Sequence, residues 1–304
     1  MDKFANLQSF VRVVESGSIS KAAESLNLAK SAVSRRLTEL EQQLGAQLFQ
    51  RSTRRMNLTD TGRSFYERAT RILNDLDDAE QAVSTLHGEL TGVLRIAVPL
   101  SFGLAHLTPA IMDFITQHPG LNFDLDFNDR QLDLVQEGFD LAIRIGRLGD
   151  STLIARQIAP ITSVVCASPG YIARHGAPVT PEQLQDHACL LYSNLPEPLQ
   201  WHYIARDGTD VSVKLKPGTQ ANNGDFLCQL AMAGHGIVSQ PTFIAHRYIE
   251  RGDLVPVLRD VQWRTTHVYA VYPQTRHLTQ RVRAFVDFLA QRFEGVPYWD
   301  QCLK

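Results

Sequence analysis

The sequence predicts an α/β protein whose first ninety residues form a helical module, a winged helix-turn-helix running into a long helix, with two α/β halves after it. Three observations point there. Apolar residues up to Leu44 recur at helical spacing, residues 65–86 carry a heptad seam, and from Val93 strand patterns alternate with helical ones. A chain of 304 residues with 44% hydrophobic and 20% charged residues is long enough for two or three domains, each with its own core.

Phe4, Leu7, Phe10, Val11, Val13 and Val14 mark the first helix, which Gly17 ends. Ser18 is a suitable N-cap for a second, short helix carrying Ile19, Ala22, Ala23 and Leu26. After a tight turn at Asn27 and Leu28 comes a third, with Val33, Leu37, Leu40 and Leu44 on one face and Gly45 at its end; so short a turn makes the last two a helix-turn-helix. Phe49 and Leu58 can anchor a hairpin with a polar, basic tip, as a wing along a phosphate backbone requires. Thr59 or Thr61 can cap a long helix reaching about His87. Its residues Phe65, Ala69, Ile72, Leu76, Ala79, Val83 and Leu86 step by alternating fours and threes, an a/d seam. Such a seam is buried either on a partner helix or on the protein's own domain, and dimerisation is the sharper expectation.

The formal net charge of −2 hides an asymmetry. Residues 30–71 hold nine Lys and Arg against four Asp and Glu, a local +5, whereas residues 72–90 hold five acidic residues and no Lys or Arg. A basic segment in a near-neutral chain is the footprint of a polyanion contact. The third helix presents Lys30, Ser31, Ser34, Arg35 and Thr38 away from its apolar face, and the wing adds Arg51, Thr53, Arg54 and Arg55. Arg and Lys suit guanine edges, and Ser suits bases or phosphates. These nine residues are the expected contacts to double-stranded DNA.

Gly88 to Gly92 reads as a hinge. Val93–Val98 is an expected strand, Pro99–Gly103 turns into a helix reaching about Gln117, Phe123 to Phe127 is a second strand, Leu132–Glu137 a short helix and Asp140–Gly146 a third strand. This βαβαβ run predicts a parallel, doubly wound sheet. A second half begins near Ser163, with a strand at Val164 to Cys166, a hairpin across Trp201–Arg206 and Val211–Leu215, a helix over Asp225–Ala233 and a strand after Gly236; His267–Tyr272 and the helix Thr279–Phe293 close the chain. Ligands in such sheets bind beyond the carboxyl ends of strands. Pro99 and Ser101 lie at one such end and Asn223 and Asp225 head a helix of the other half, an arrangement that suits a carboxylate or similar anion. Phe102 is expected to supply a wall and Arg144, after the third strand, a charge. Ser101 as a plain N-cap and Asn223 as a turn residue are the alternatives.

Cys166, Cys189, Cys228 and Cys302 form no C-x-x-C pair and have no histidine at zinc-ligand spacing, so no metal or cofactor is implied. Buried reduced thiols are the plain expectation, and a redox-responsive regulator the alternative. Neither a secretory signal nor a bilayer-spanning stretch is evident, which predicts a cytoplasmic protein without a membrane partner.

Phe10-Val11-Arg12-Val13-Val14-Glu15-Ser16-Gly17-Ser18, Ala22-Ala23-Glu24-Ser25-Leu26, Ala32-Val33-Ser34-Arg35, Leu44-Gly45, Leu48-Phe49-Gln50-Arg51 and Leu58-Thr59-Asp60-Thr61-Gly62 together resemble the LysR-type transcriptional regulators. The likeness continues through Leu141-Ala142-Ile143-Arg144-Ile145-Gly146 and Gly234-His235-Gly236-Ile237. It implies a DNA-binding domain over 1–60, a linker and dimerisation helix over 61–88, and an effector-binding domain over 93–304 similar to type 2 periplasmic binding proteins. Its subdomains would span about 93–162 with 268–295, and about 163–267. It also implies control by a small-molecule effector in the cleft, promoter DNA as partner, and homodimer pairs forming a homotetramer. Where the family usually begins its recognition helix with Ser, then Gln-Pro, this chain has Ala29, Lys30 and Ser31, so the usual base preferences do not transfer. Enzymatic activity is not expected: the chain has no G-x-S-x-G, H-E-x-x-H or G-x-x-x-x-G-K-[ST] motif. A transport-type solute-binding protein and a nucleoid protein acting without an effector are the remaining alternatives.

Overall fold

The computed structural model describes residues 2–50, 57–83, 90–130, 133–146, 153–274 and 278–303, with backbone alone for 74, 75, 77–83, 135 and 302. The chain divides into two compact units, Met1–Gly92 and Val93–Lys304.

The first unit contains α1 (Lys3–Ser16), α2 (Ile19–Ser25), α3 (Lys30–Leu44) and α4 (Asp60–Val83). Its core joins Phe10, Val13, Ala22, Val33, Leu37, Leu40, Leu48 and Phe49. The turn between α2 and α3 is reversed at Asn27, which takes a φ of 51°, a conformation that asparagine tolerates better than most side chains. Ser18 is the N-cap of α2 but makes no side-chain capping bond; Thr59, before α4, accepts the Gly62 amide at 2.9 Å. A Cβ on Gly62 would overlap the Leu48 carbonyl oxygen, so glycine there lets the two segments close. Phe49 and Leu58 pair as an antiparallel bridge, and Gln50 N–H donates to the Asn57 carbonyl at 2.8 Å. The Glu41 carboxylate anchors this base from α3, accepting the amides of Leu48 at 2.7 Å and Phe49 at 3.2 Å.

The heptad seam divides in two. Ala69 is fully buried in this unit's own core and Phe65 packs against it, together with Leu73 from outside the seam, whereas Ile72 stays exposed. Leu86 lies outside the described residues, as do the side chains of Ala79 and Val83.

The second unit runs β1 (Gly92–Val98), α5 (Leu100–Phe102), a π turn (Gly103–Leu107), α6 (Thr108–Gln117), β2 (Leu121–Phe127), α7 (Leu134–Glu137), β3 (Leu141–Gly146) and β4 (Leu153–Ile161). It continues with β5 (Ser163–Ala167), α8 (Pro169–His175), a 3-10 turn (Pro181–Asp186), β6 (Cys189–Tyr192), β7 (Gln200–Ile204), β8 (Asp210–Lys214), β9 (Gln220–Ala221) and α9 (Gly224–Met232). The last elements are β10 (Ile237–Pro241), α10 (Thr242–Glu250), β11 (Val255–Pro256), β12 (Gln262–Trp263), β13 (Thr266–Pro273), α11 (Gln280–Arg292) and a 3-10 turn (Tyr298–Leu303).

Two five-stranded sheets organise it, in the orders β2-β1-β3-β13-β4 and β11-β5-β10-β6-β9, with β12-β7-β8 as a smaller third. The chain passes between the large sheets at Thr162, from β4 to β5, and returns before β13. The expected all-parallel sheet is corrected in part. β1 and β3 are parallel, but β13 lies antiparallel between β3 and β4, because a strand returning from the other half enters from the opposite end. The second sheet is also mixed: β10 is antiparallel to β5 and parallel to β6. Trp299, fully buried, brings the C-terminal turn into contact with Phe102, His106 and Phe293. Among the described residues no helix is long and apolar enough to cross a membrane.

Candidate DNA-reading helix and effector cavity

On α3 the apolar period turns Val33, Leu37 and Leu40 into the core, and this leaves Lys30, Ser31, Ser34, Arg35 and Thr38 exposed. Their roles differ. Thr38 donates its hydroxyl to the Ser34 carbonyl at 3.1 Å, and Arg35 lies 3.7 Å from Glu39, a loose and exposed pair that leaves its guanidinium able to move. Arg36 instead reaches back to α1 and donates to the Ser9 hydroxyl at 3.2 Å. Ala29 occupies the N-cap in extended conformation and its side chain makes no capping bond to the helix start beside Lys30 and Ser31. Arg51, Thr53, Arg54 and Arg55 fall outside the described residues.

In the second unit the starts of α5 and α9 do face each other. Ser101 donates its hydroxyl to Asp225 at 2.5 Å, and Asp225 also pairs with Arg247 of α10. Asn223 caps α9 by accepting the Phe226 amide at 2.9 Å. Gly224 lies against β10 and α10, where a Cβ would meet the ends of the Gln240 and Ile244 side chains. Ser101, Asn223 and Asp225 line a cavity of about 510 Å³ together with His106, His246, Arg247 and Tyr298. That volume is within the usual range for a small-molecule site.

The other three expected residues lie elsewhere. Phe102 is fully buried against Phe243, Phe293 and Trp299, so it is a core residue behind the cavity and not its wall. Arg144 donates to the Arg130 carbonyl at 2.5 Å and does not line the cavity. Pro99 serves the backbone: its carbonyl accepts the Gly103 amide at 2.7 Å, which opens the helical segment.

Sequence reasoning missed His106, His246, Arg247 and Tyr298. His106 lies in the π turn, a distortion that favours functional sites. Its Nε2 is 3.0 Å from the Phe243 carbonyl, which can only accept, so Nε2 carries the proton; Nδ1 then accepts from the Tyr298 hydroxyl at 2.5 Å. Burial holds its pKa down at about 4, with the nearby Arg247 charge helping, so the ring is neutral at physiological pH. Asp129 accepts the Leu100 amide at 3.2 Å, and its pKa is raised by burial and further by the negative Asp225.

Cys166, Cys189 and Cys228 are buried free thiols. Burial pushes Cys189 up to about 12 and raises Cys228 as well, which opposes the thiolate that redox sensing needs.

Residues 4–63 match the family model of bacterial regulatory helix-turn-helix proteins of the lysR family, and residues 87–294 match the LysR substrate binding domain. The HTH-type transcriptional regulator CrgA of Neisseria meningitidis serogroup B is 36% identical, over 93% of this chain and 94% of its own. An Escherichia coli relative, the uncharacterized HTH-type transcriptional regulator YhjC, is 35% identical over 95% of this chain and 97% of its own. Among solved structures, CrgA, described as a LysR-type transcriptional regulator, superposes with a TM-score of 0.61 at 35% identity, covering 96% of this chain and 99% of that one. Matches of this extent, over both units, place the chain in the LysR family of transcriptional regulators.

Proposed function

We propose that this regulator binds a specific promoter site through α3 and the following wing, and that a small molecule bound in the second unit controls it. The observation that carries the DNA-reading part is the sidedness of α3: its apolar residues lock it to the core while Lys30, Ser31, Ser34 and Arg35 stand exposed along one helix. A helix held in this way can enter a major groove with its N-terminal residues at base edges. The family's usual base preference is not carried over to this site, since Lys30 offers a cation suited to guanine or phosphate.

The effector reading is supported by the cavity at the facing starts of α5 and α9, which joins Ser101, Asn223 and Asp225. Self-association, as homodimer pairs in a homotetramer, is supported by exposed apolar side chains: Ile72 on α4, Met112 and Ile115 on α6, Phe226 and Met232 on α9. Four chains per particle in sedimentation of the full protein is the expected result, and a monomer would end this part.

The decisive experiment compares operator with random DNA by fluorescence anisotropy at physiological salt. Arg35→Ala should weaken operator binding by about 1–3 kcal/mol, whereas Arg36→Ala, whose guanidinium is engaged with Ser9, should weaken it less. Equal wild-type affinity for both DNAs would overturn specific binding, and an unchanged affinity in Arg35→Ala would remove Arg35 from the reading surface.

A further inference from the structure

Given an effector in this cavity, as proposed above, the side chains around it restrict its chemistry. The two groups best suited to hold an anion already hold one. The Ser101 hydroxyl is donated to Asp225 at 2.5 Å, and the Arg247 guanidinium is paired with the same carboxylate. Asp225 itself lies in the first turn of α9, where a negative charge is favoured by the helix. A second carboxylate, Asp129, stands close enough to feel the charge of Asp225. His106 adds no positive charge, since both its nitrogens are committed to Phe243 and Tyr298. Arg247 is therefore already paired, and an incoming anion would either add to the negative charge of Asp225 or have to displace it from Arg247.

Beside these groups the lining holds His246, whose Nδ1 lies 3.1 Å from the Thr242 carbonyl, and otherwise only side chains without charge. Leu100, Leu104, Phe243 and Ile244 give apolar walls. Asn223 keeps its amide N–H groups, because its carbonyl oxygen alone is used in capping α9. The Tyr298 hydroxyl donates its hydrogen bond to His106 and retains acceptor lone pairs. A donor and an acceptor set among apolar walls fit one hydroxyl or carbonyl group on a compact hydrocarbon body.

We propose that the effector is an uncharged, ring-sized molecule with a single hydroxyl- or carbonyl-type group, and that Asp225 acts as a built-in anion that keeps carboxylates out of the cavity. The two facing helix starts, which on sequence alone suit a carboxylate, receive it from the chain itself.

Three probes test this by calorimetry on the full-length protein: cyclohexylmethanol, cyclohexanecarboxylate and cyclohexylmethylamine, which share a ring and a one-carbon arm. The wild type should bind the alcohol at least tenfold more tightly than either charged probe. Asp225→Asn, which leaves Arg247 without its carboxylate, should raise carboxylate affinity at least tenfold relative to that of the alcohol. A carboxylate or amine that binds the wild type most tightly overturns the proposed chemistry, and so does a carboxylate that gains nothing from Asp225→Asn. If that variant fails to fold, the wild-type ranking alone decides. Failure of the cavity as an effector site reads differently: none of the probes binds wild-type protein that still discriminates operator from random DNA.

Discussion

The two units place their candidate functional residues differently, each relative to its own core. In the first, Lys30, Ser31, Ser34 and Arg35 point outward from one helix whose inner face is core. In the second, Ser101, His106, Asp225, Arg247 and Tyr298 point inward to a cavity, and they come from the two ends of the unit's sequence and its middle. An outward surface needs one helix to be fixed; an inward one needs several segments to be fixed against each other. The first arrangement tolerates change at its exposed residues, because they carry little packing. The second does not, since His106 and Asp225 are bonded to other elements on both sides.

Core truncations give the largest effect and test whether the two arrangements are independent. Phe10 is fully buried, with ring centroids 5.5 Å from Phe49 and 5.4 Å from Phe65. Phe102 is its counterpart, 5.3 Å from Phe243 and 5.7 Å from Trp299. Each Phe→Ala change should cost about 3–5 kcal/mol. Phe10→Ala should abolish operator binding and leave probe binding in the cavity, and Phe102→Ala should do the reverse. Thermal unfolding followed with operator anisotropy and probe calorimetry would show it. Loss of both functions from either substitution would break the comparison.

The next effect belongs to the second unit alone. The unfolded chain protonates His106 near pH 6.5, while the folded protein holds it neutral down to about pH 4. Protons therefore favour the unfolded state: the contribution of His106 is complete above pH 6.5, declines as pH falls toward 4, and levels off below. The full decline is at most about 3 kcal/mol. Urea titrations between pH 7.5 and 4 should show that decline in the wild type and flatten it in His106→Gln. The described residues of the first unit include no histidine, so a matching decline in its own unfolding would count against this assignment.

What was legible in the sequence follows the same division. The faces of α1, α2 and α3 are periodic patterns within single helices, and Val33, Leu37 and Leu40 are buried as their spacing requires. The seam on α4 was legible as a pattern but not as a destination. Phe65 and Ala69 are absorbed by the core beside them, which was the alternative to a partner helix, and only Ile72 onward remains for one. In the second unit Ser101 and Asp225 could be placed at helix starts, but Phe102, one residue on, points about 100° away and lies in the core. Arg247 and Tyr298 carried no signal at all. The Tyr298 contact with His106 spans 192 positions, and neither segment holds a motif that anticipates the other. The antiparallel place of β13 was hidden for a related reason: alternation marks a strand, not its neighbours.

The smallest effect concerns capping, where sequence treats two residues of the first unit alike and the structure separates them. Ser18 and Thr59 both stand before a helix and both are good N-cap types. Thr59 accepts the Gly62 amide at 2.9 Å and donates to the Gln47 carbonyl at 2.7 Å, tying α4 to the segment that follows α3. Ser18 makes no side-chain capping bond, and the Ser16 hydroxyl instead reaches its carbonyl at 3.0 Å. Thr59→Ala should therefore cost about 1 kcal/mol or somewhat more, and Ser18→Ala less than about 0.5 kcal/mol. Paired denaturant titrations of the full chain measure the difference. Equal losses would mean that α2 is capped by Ser18 after all, and with it the start of the helix-turn-helix would be held by its own side chain and not by packing of Ala22 and Ala23 against the core.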